Sequence, residues 1–334
     1  MVKLMIKLGS FIRSEYKFFI LVLIILFLGL FRLPYNLYVG GGIISLDNRL
    51  TVENEKKETG SFNLSYVTTS HATIPTYLLS FITGWERESI NDVKIDDNDS
   101  VKDIWKREKL YLQEANDNAI ISAYHEAKEE ITINKDLLKI LYLDKNSDTN
   151  LEIGDILLTA DNVSITDFNS LKEVINNHKV GDEISVDVLR DEEKLTRYFK
   201  INEVDGEKRA GIYLIKMYDY VTPRKTTINF SDSEGGPSGG FMVSLAIYTR
   251  LTGNDLTKGK KIAGTGTIDE KGNIGMIGGV TYKVTGAYHG KADVFLVPSG
   301  NYEEAVNFAK EKKYNLDIVK VDTLHEAIEY LESR

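Results

Sequence analysis

The chain of 334 residues contains no cysteine. Disulfide bonds, thiolate nucleophiles and cysteine-ligated metal sites are therefore excluded. Basic residues are not in excess either, because 41 Lys and Arg stand against 50 Asp and Glu, for a net charge of -9. A nucleic-acid-binding protein needs a basic stripe to neutralise phosphates, so we expect no nucleic-acid partner.

A nucleotide-binding loop is also missing. The pattern G-x-x-x-x-G-K-[ST], which cradles phosphates, does not occur, and Gly259-Lys260-Lys261 is too short a fragment of it. The five histidines share no metal-ligand spacing, so we expect them to be surface or packing residues. The sequence therefore predicts a protein that uses no ATP, no metal ion and no other cofactor.

Hydrophobic residues make up 42% of the chain and charged residues 27%, which is typical of a folded protein. A chain of this length exceeds the usual size of one hydrophobic core. We expect two folded domains preceded by a connecting region, which we place at 40–130.

An uncharged run near the N-terminus, Phe18–Phe31, reads FFILVLIILFLGLF. Extended to residues 18–39, it approaches the ~20 residues of a membrane-spanning helix. The sequence therefore predicts a single-pass transmembrane helix, with 1–17 a short cytoplasmic segment and the later domains outside the cell. A cleaved signal peptide is the alternative, with 40–42 supplying small residues for cleavage. The basic residues that set the predicted orientation are Lys3, Lys7, Arg13 and Lys17.

The connecting region carries two patterns. Phe62–Thr69 alternates apolar and polar residues, as a half-buried strand does. Val101–Glu130 is rich in helix formers and predicts one or two amphipathic helices. We expect these helices to pack against the next domain, with a partner-binding or membrane-surface role as the alternative.

A β-rich pattern follows. Leu151–Ile165 reads LEIGDILLTADNVSI, a short helix is predicted at Asn169–Asn177, and a strand at Ile184–Leu189. This order resembles a bacterial PDZ domain, at 131–203. The resemblance implies that a peptide binds along a sheet edge. The stretch Leu137–Asp144, where a carboxylate-binding loop is expected, lacks the usual glycine, so a purely structural spacer is the alternative.

Beyond this domain, the segment Ser233–Gly240 reads SEGGPSGG. Gly236 and Gly239 flank Ser238 closely and leave room for a peptide backbone, while Pro237 presets the first turn of a helix. The apolar spacing that follows predicts this helix. Ser238 would then lie at its N-terminus, where backbone N–H groups favour an oxyanion.

A second motif lies 45 residues further on, where Gly278-Gly279 precedes a predicted helix that carries Lys283. Between the two motifs, Glu270–Asn273 supplies a hairpin turn. Val280 and Val284 give this lysine apolar neighbours on the predicted helix, a setting in which its pKa would fall.

Together, the G-P-S-G-G turn around Ser238 and the lysine after G-G resemble the proteolytic domain of Lon-type proteases, at 204–334. The likeness extends through LTGNDL, Thr265-Gly266 and VFLVPSGN. It implies that Ser238 is the nucleophile, that Lys283 is the general base, with a pKa lowered by burial, and that Thr265 orients this lysine. Where many Lon domains have an aspartate before G-P-S, this chain has Gly235.

The whole arrangement resembles the membrane-anchored PDZ-Lon proteins of Gram-positive bacteria. It implies an α+β chain with a transmembrane helix, a PDZ-like domain and an α/β Lon-type domain, with hexamers expected by resemblance. The expected function is ATP-independent serine endopeptidase cleavage of exported or membrane-associated proteins. A catalytically silent anchored PDZ scaffold and a Ser-Lys amidase acting on a non-protein amide are the alternatives.

Overall fold

A computed structural model of the chain describes residues 15–96, 99–204 and 206–334. The elements of its first part are α1 (Tyr16–Leu30), β1 (Arg32–Ser45), β2 (Leu50–Val52), β3 (Ser61–Thr73), α2 (Ile74–Thr83), β4 (Glu86–Ser89), α3 (Ile90–Val93) and α4 (Val101–Glu126). Then follow β5 (Thr132–Leu143), β6 (Ile156–Ala160), β7 (Val163–Ser164), α5 (Phe168–Asn177), β8 (Glu183–Arg190), β9 (Glu193–Lys200), β10 (Asn202–Val204), β11 (Glu207–Arg209), β12 (Ile212–Val221) and β13 (Thr226–Ile228). The last are α6 (Gly240–Thr252), β14 (Lys261–Gly264), β15 (Thr267–Ile268), β16 (Ile274–Gly275), α7 (Val280–His289), β17 (Val294–Pro298), α8 (Ser299–Lys312), β18 (Asp317–Val321) and α9 (Leu324–Glu332).

The described residues fall into two units. The first holds the described residues up to Gly40 together with Thr68–Ile95. In it, β4 pairs antiparallel with β1, from Tyr35 opposite Ser89 to Tyr38 opposite Glu86. Helix α2 begins with a capping box formed by Thr73 and Thr76 and ends at Gly84, whose φ of 72° suits glycine.

The prediction of a transmembrane helix at 18–39 is wrong. Helix α1 has 15 residues, and the chain turns into strand β1 at Arg32, so 32–39 cannot extend the helix. At 1.5 Å per residue such a helix is about 22 Å long, short of the ~30 Å hydrocarbon core. Among the helices of residues 15–96, 99–204 and 206–334, none is long and apolar enough to cross a membrane. The predictions of a single-pass membrane localisation and of a fold class with a transmembrane helix are therefore wrong as well. Most of the predicted cytoplasmic segment 1–17 lies outside the described residues.

The second unit, Gly41–Val67 with Asp96–Arg334, contains two β-sheets that position the later elements. In the sheet of the C-terminal part, β18, β17, β14 and β3 lie side by side and are all parallel. Alternate residues of these strands face opposite sides. Ile262 and Leu296 pack into the cluster that includes α6, α4 and α9, whereas Ala263 and Phe295 pack against α7 and α8. Helices therefore cover both faces of this sheet, as in other parallel α/β layers.

The other sheet has the order β12-β5-β6-β8-β9, with β7 paired to β6. Its core contains Ile140, Leu157, Val186 and Phe199, all nearly inaccessible to solvent. Helix α5 covers this core and begins at the N-cap Asp167, whose carboxylate accepts from Ser170 N at 2.8 Å. The predicted helix and strands of the PDZ-like region are thus confirmed to within a few residues.

Helix α4 is a single helix of 26 residues that begins at the capping box of Ser100 and Asp103. It packs against α6 through Ser122 Oγ, which lies 2.8 Å from Ser244 Oγ. It also packs on the other sheet, because Leu110 forms a buried cluster with Ile215 and Met217 of β12. The expected packing role of this region is confirmed.

Candidate active site

Ser238 lies in a turn on the sheet face covered by α6, two residues before this helix begins at Gly240. Its side chain is half-buried. The turn is possible because Gly236 has a φ of 87°, a conformation that glycine adopts without strain. The prediction of a helix after Ser238, ending at Gly253, is confirmed, but Ser238 precedes the N-cap Gly239 rather than occupying the first turn.

Lys283 comes from the opposite sheet face, in the first turn of α7. This helix starts after Gly279, which has a φ of 65°. It also lies close to β1, because a Cβ added at Gly286 would come within 2.7 Å of Gly42 N. Gly41, one of the glycines considered above for a cleavage site, also permits this approach, because a Cβ added there would lie 2.5 Å from Tyr282 O of the lysine-bearing helix.

Thr265, immediately beyond the C-terminal end of β14, contacts both the turn before α6 and helix α7. Its hydroxyl donates to the carbonyl oxygen of Ser238 at 3.1 Å and accepts from Lys283 Nζ, also at 3.1 Å. Gly266 N donates to the same Ser238 oxygen at 2.9 Å. Ligand sites of open α/β sheets commonly lie outside the carboxyl ends of parallel strands, where elements from both faces converge.

The ammonium group of Lys283 has little access to water, because the residue is 3% exposed. Val280, Val284 and Phe295 belong to the apolar cluster around its helix. Burial lowers the pKa of Lys283 from 10.5 to about 8. A neutral amine is therefore accessible near neutral pH, as the role of a general base requires.

Ser238 Oγ and Lys283 Nζ are brought to the same end of β14, but within the described part of the chain no hydrogen bond joins these two atoms. Thr265 links Lys283 to the main chain of Ser238 instead. Catalytic hydrogen bonds are often long before substrate binds, so this geometry is compatible with proton transfer after substrate binding.

Backbone N–H groups near Ser238 differ in their partners. Gly240 N donates to Pro237 O and Phe241 N to Gly266 O, each at 3.2 Å. Within residues 99–204 and 206–334, neither Ser238 N nor Gly239 N has a hydrogen-bond acceptor. These two groups are therefore N–H donors beside the serine that remain available to a ligand.

The turn that leads to Ser238 is held by residues distant in sequence, which the sequence analysis did not single out. Lys109 Nζ donates to Ser231 O at 2.9 Å and to Glu234 O at 2.6 Å. Gly236 N donates to Glu108 O at 2.9 Å. No sequence signal could have found these contacts, because Lys109 and Glu234 are separated by 125 positions.

The stretch Leu137–Asp144, where a carboxylate-binding loop was expected, lies in strand β5 as far as Leu143, and β5 is an inner strand of its sheet. Strand β12 pairs antiparallel with it from Thr132 to Leu143. On its other side, β5 pairs with β6 at Lys139 and Ile156. A peptide added to β5 would therefore have to displace a strand of the chain itself.

His289, the histidine nearest Lys283 in sequence, packs edge-on against the stacked rings of Tyr288 and Tyr314, with ring centroids 5.4 and 5.8 Å away. Among residues 15–96, 99–204 and 206–334, no group of three or more His, Asp or Glu side chains is arranged to hold a metal ion.

Two family models match parts of the chain. Residues 231–333 match the Lon protease (S16) C-terminal proteolytic domain, and residues 140–201 match the PDZ domain. These matches confirm the predicted Lon-type proteolytic domain and PDZ domain and support a serine peptidase.

Curated relatives are similar over less than a third of the chain. The Lon protease of Campylobacter jejuni is 35% identical over 96 residues, which are 28% of this chain and 12% of that protein. The Lon protease of Haemophilus influenzae is 32% identical over 93 residues, 28% of this chain and 11% of that protein. The chain thus spans only about an eighth of the length of these relatives.

A solved PDZ domain of an SdrC-like protein from Listeria monocytogenes is also similar. It is 19% identical, the match covers 26% of this chain and 93% of that domain, and the TM-score is 0.23. A likeness at this TM-score adds nothing to the family matches.

Proposed function

We propose that the chain is a serine endopeptidase that cleaves peptide bonds with a Ser238–Lys283 dyad. The observation that carries the proposal is the burial of Lys283, which lowers its pKa to about 8, at the same strand end as the serine turn. The match of residues 231–333 to a proteolytic domain supports it.

In the proposed reaction, neutral Lys283 accepts the proton of Ser238 Oγ as this oxygen attacks the scissile carbonyl carbon. The protonated lysine then returns the proton to the leaving amine, and water releases the acyl group in a second, equivalent cycle. Thr265 keeps the amine in place, since its hydroxyl accepts from Lys283 Nζ. Ser238 N and Gly239 N are the proposed donors to the tetrahedral oxyanion.

Gly236, Pro237 and Gly239 support the site by shaping the turn. The φ of 87° at Gly236 sets the direction of the chain, and Pro237 O accepts from Gly240 N at the start of α6. Side chains at these glycine positions would also narrow the space open to a peptide backbone.

We propose that extended or loosely folded proteins are the substrates and that cleavage needs no ATP. The lack of a phosphate-binding pattern in these 334 residues supports the second point. The likeness to Lon proteases supports protein substrates and also suggests hexamers.

Fluorescein-labelled casein, a loosely folded protein, is the test substrate for the full chain. We expect cleavage without ATP, abolished by Ser238→Ala and retained by Ser333→Ala, an exposed serine at the C-cap of α9 and outside the proposed dyad. Equal casein cleavage by wild type and Ser238→Ala would contradict the proposal. So would the lack of any cleavage by wild type, which is the outcome expected of a silent scaffold.

A further inference from the structure

Helix α4 lies outside the segment that matches the proteolytic domain, yet it contacts the turn that carries the proposed nucleophile. The turn, residues 231–237, has neither helix nor strand hydrogen bonding. Inside the turn, Glu234 N donates to Ser231 O at 3.1 Å and Ser231 N donates to Glu234 Oε2 at 2.6 Å, and contacts with neighbouring elements hold the turn in place.

Lys109 supplies two of these contacts. Its ammonium group donates to the carbonyl oxygens of Ser231 and Glu234 at 2.9 and 2.6 Å. Hydrogen bonds from a charged donor are shorter and stronger than neutral ones. The ammonium also lies 5.4 Å from the ring centroid of Trp105, one turn earlier on the helix, which restricts where the side chain points.

Glu108 supplies the next contact, through its backbone. Its carbonyl oxygen accepts from Gly236 N at 2.9 Å, two residues before Ser238. The approach is close, since a Cβ added at Gly235 would lie 3.0 Å from Glu108 Cβ. Any side chain at Gly235, the position of the family's aspartate, would press against the helix.

The helix itself is held firmly on the proteolytic part. Asn118 Nδ2 donates to Ile268 O at 3.2 Å, and a Cβ added at Gly240 would lie 3.2 Å from Ala115 O. The far side of Ser238 is fixed by Thr265 and Gly266. The serine is thus held between α4 before it and the end of β14 after it.

We infer that Lys109 is a positioning residue for Ser238: it holds the turn 231–237 so that the serine oxygen faces the scissile carbonyl and Lys283. This inference rests on the proposed function. It makes helix α4, which no family match covers, a required part of the peptidase site.

Because Lys109 orients the nucleophile rather than the substrate, its loss should lower kcat and leave KM nearly unchanged. We expect Lys109→Met to lower kcat on a quenched fluorescent casein peptide at least about tenfold, with KM within about twofold. Lys109→Arg, which keeps the charge and several donors, should restore most of the rate. Lys102→Met is the matched control, an exposed lysine two turns earlier on the same helix, and should behave as wild type.

Thermal unfolding of each variant separates positioning from folding. A Lys109→Met protein with the melting temperature of wild type and a lowered kcat supports the inference. Unchanged kcat, or failure of Lys109→Arg to restore it, overturns the inference while Ser238→Ala still abolishes cleavage. If Ser238→Ala itself retains activity, the proposed function fails first, so the two failures are distinguishable.

Discussion

Two of the buried cations of the second unit, Arg250 and Lys283, have opposite surroundings. Arg250, on α6, is 0% exposed, and its guanidinium is 3.0 Å from Glu58 Oε1 and 3.5 Å from Glu55 Oε2, besides donating to Leu50 O. Lys283 is 3% exposed, and the hydrogen-bond partner of its ammonium among the described residues is the neutral hydroxyl of Thr265.

The difference shows what decides the role of a buried cation. Nearby carboxylates offset the free-energy cost of removing the Arg250 guanidinium from water. Arg250 therefore links the 49–60 segment to α6 as a fixed charge. In the part of the chain that the structure describes, no nearby opposite charge offsets the cost of removing the Lys283 ammonium group from water, so burial lowers the pKa of Lys283. The first arrangement keeps its cation charged, and the second gives the amine that we propose as the base a lowered pKa.

The largest effect is expected when Lys283 is replaced by a cation that cannot lose its proton, which tests whether a neutral amine is needed at this position. Lys283→Arg should lower kcat for peptide cleavage by roughly 10⁴-fold, as loss of a catalytic dyad member does. Wild-type activity should rise with pH to a plateau, with half of the maximum near the lysine pKa of about 8. Rates are measured with a quenched fluorescent peptide from pH 6 to 10. An arginine variant with near wild-type turnover would make Lys283 a structural cation.

The next largest effect is expected at the other cation. Arg250→Met should lower the free energy of unfolding by about 3–5 kcal/mol, because Glu58 is left buried without its partner. Urea denaturation measures this change. The double variant Arg250→Met with Glu58→Leu removes both charges and should recover part of the loss. A single variant within about 1 kcal/mol of wild type would show that the ion pair is not needed.

The smallest expected effect comes from removing the ammonium group of Lys283, which has no carboxylate partner within the described ranges. Lys283→Met should raise the free energy of unfolding at pH 7 by about 1–3 kcal/mol, since the folded wild type must bury an unpaired charge below pH 8. Between about pH 8 and 10.5, the unfolded wild-type chain binds more protons than the folded one, so wild-type stability rises with pH. The advantage of the variant should therefore shrink across this range.

Chemical denaturation at pH 7, 8, 9 and 10 follows this change, with Lys102→Met as the exposed control. A pH-independent difference between wild type and Lys283→Met would mean that the lysine pKa is not lowered in the folded protein.

The sequence alone was enough to predict both domains and both proposed catalytic residues. The turn glycines and the apolar spacing after Ser238 are local signals, and they correctly located α6. The same holds for α7 and its lysine, and for the strand and helix order of the PDZ-like part. Local signals succeed there because each segment carries its own start, stop and hydrophobic period.

The N-terminal run shows where composition misleads. Fourteen apolar residues in Phe18–Phe31 suggested a membrane span, but strand pairing of β1 with β4 from Tyr35 onward ends the helix at Leu30. Backbone pairing with a strand some 50 residues away is a tertiary effect that no hydropathy window contains.

Sequence by itself determined which residues have the chemistry: a serine between glycines, a lysine without an acidic neighbour and a threonine between them. Only the tertiary structure decided that Thr265 contacts both Ser238 and Lys283, that Lys109 holds the serine turn, and that β12 covers the edge of β5. The reason is physical, since burial and long-range hydrogen bonds depend on distances in space that sequence spacing does not fix. The lowered pKa of Lys283 is the clearest case, because desolvation exists only once the helices on both sheet faces have packed.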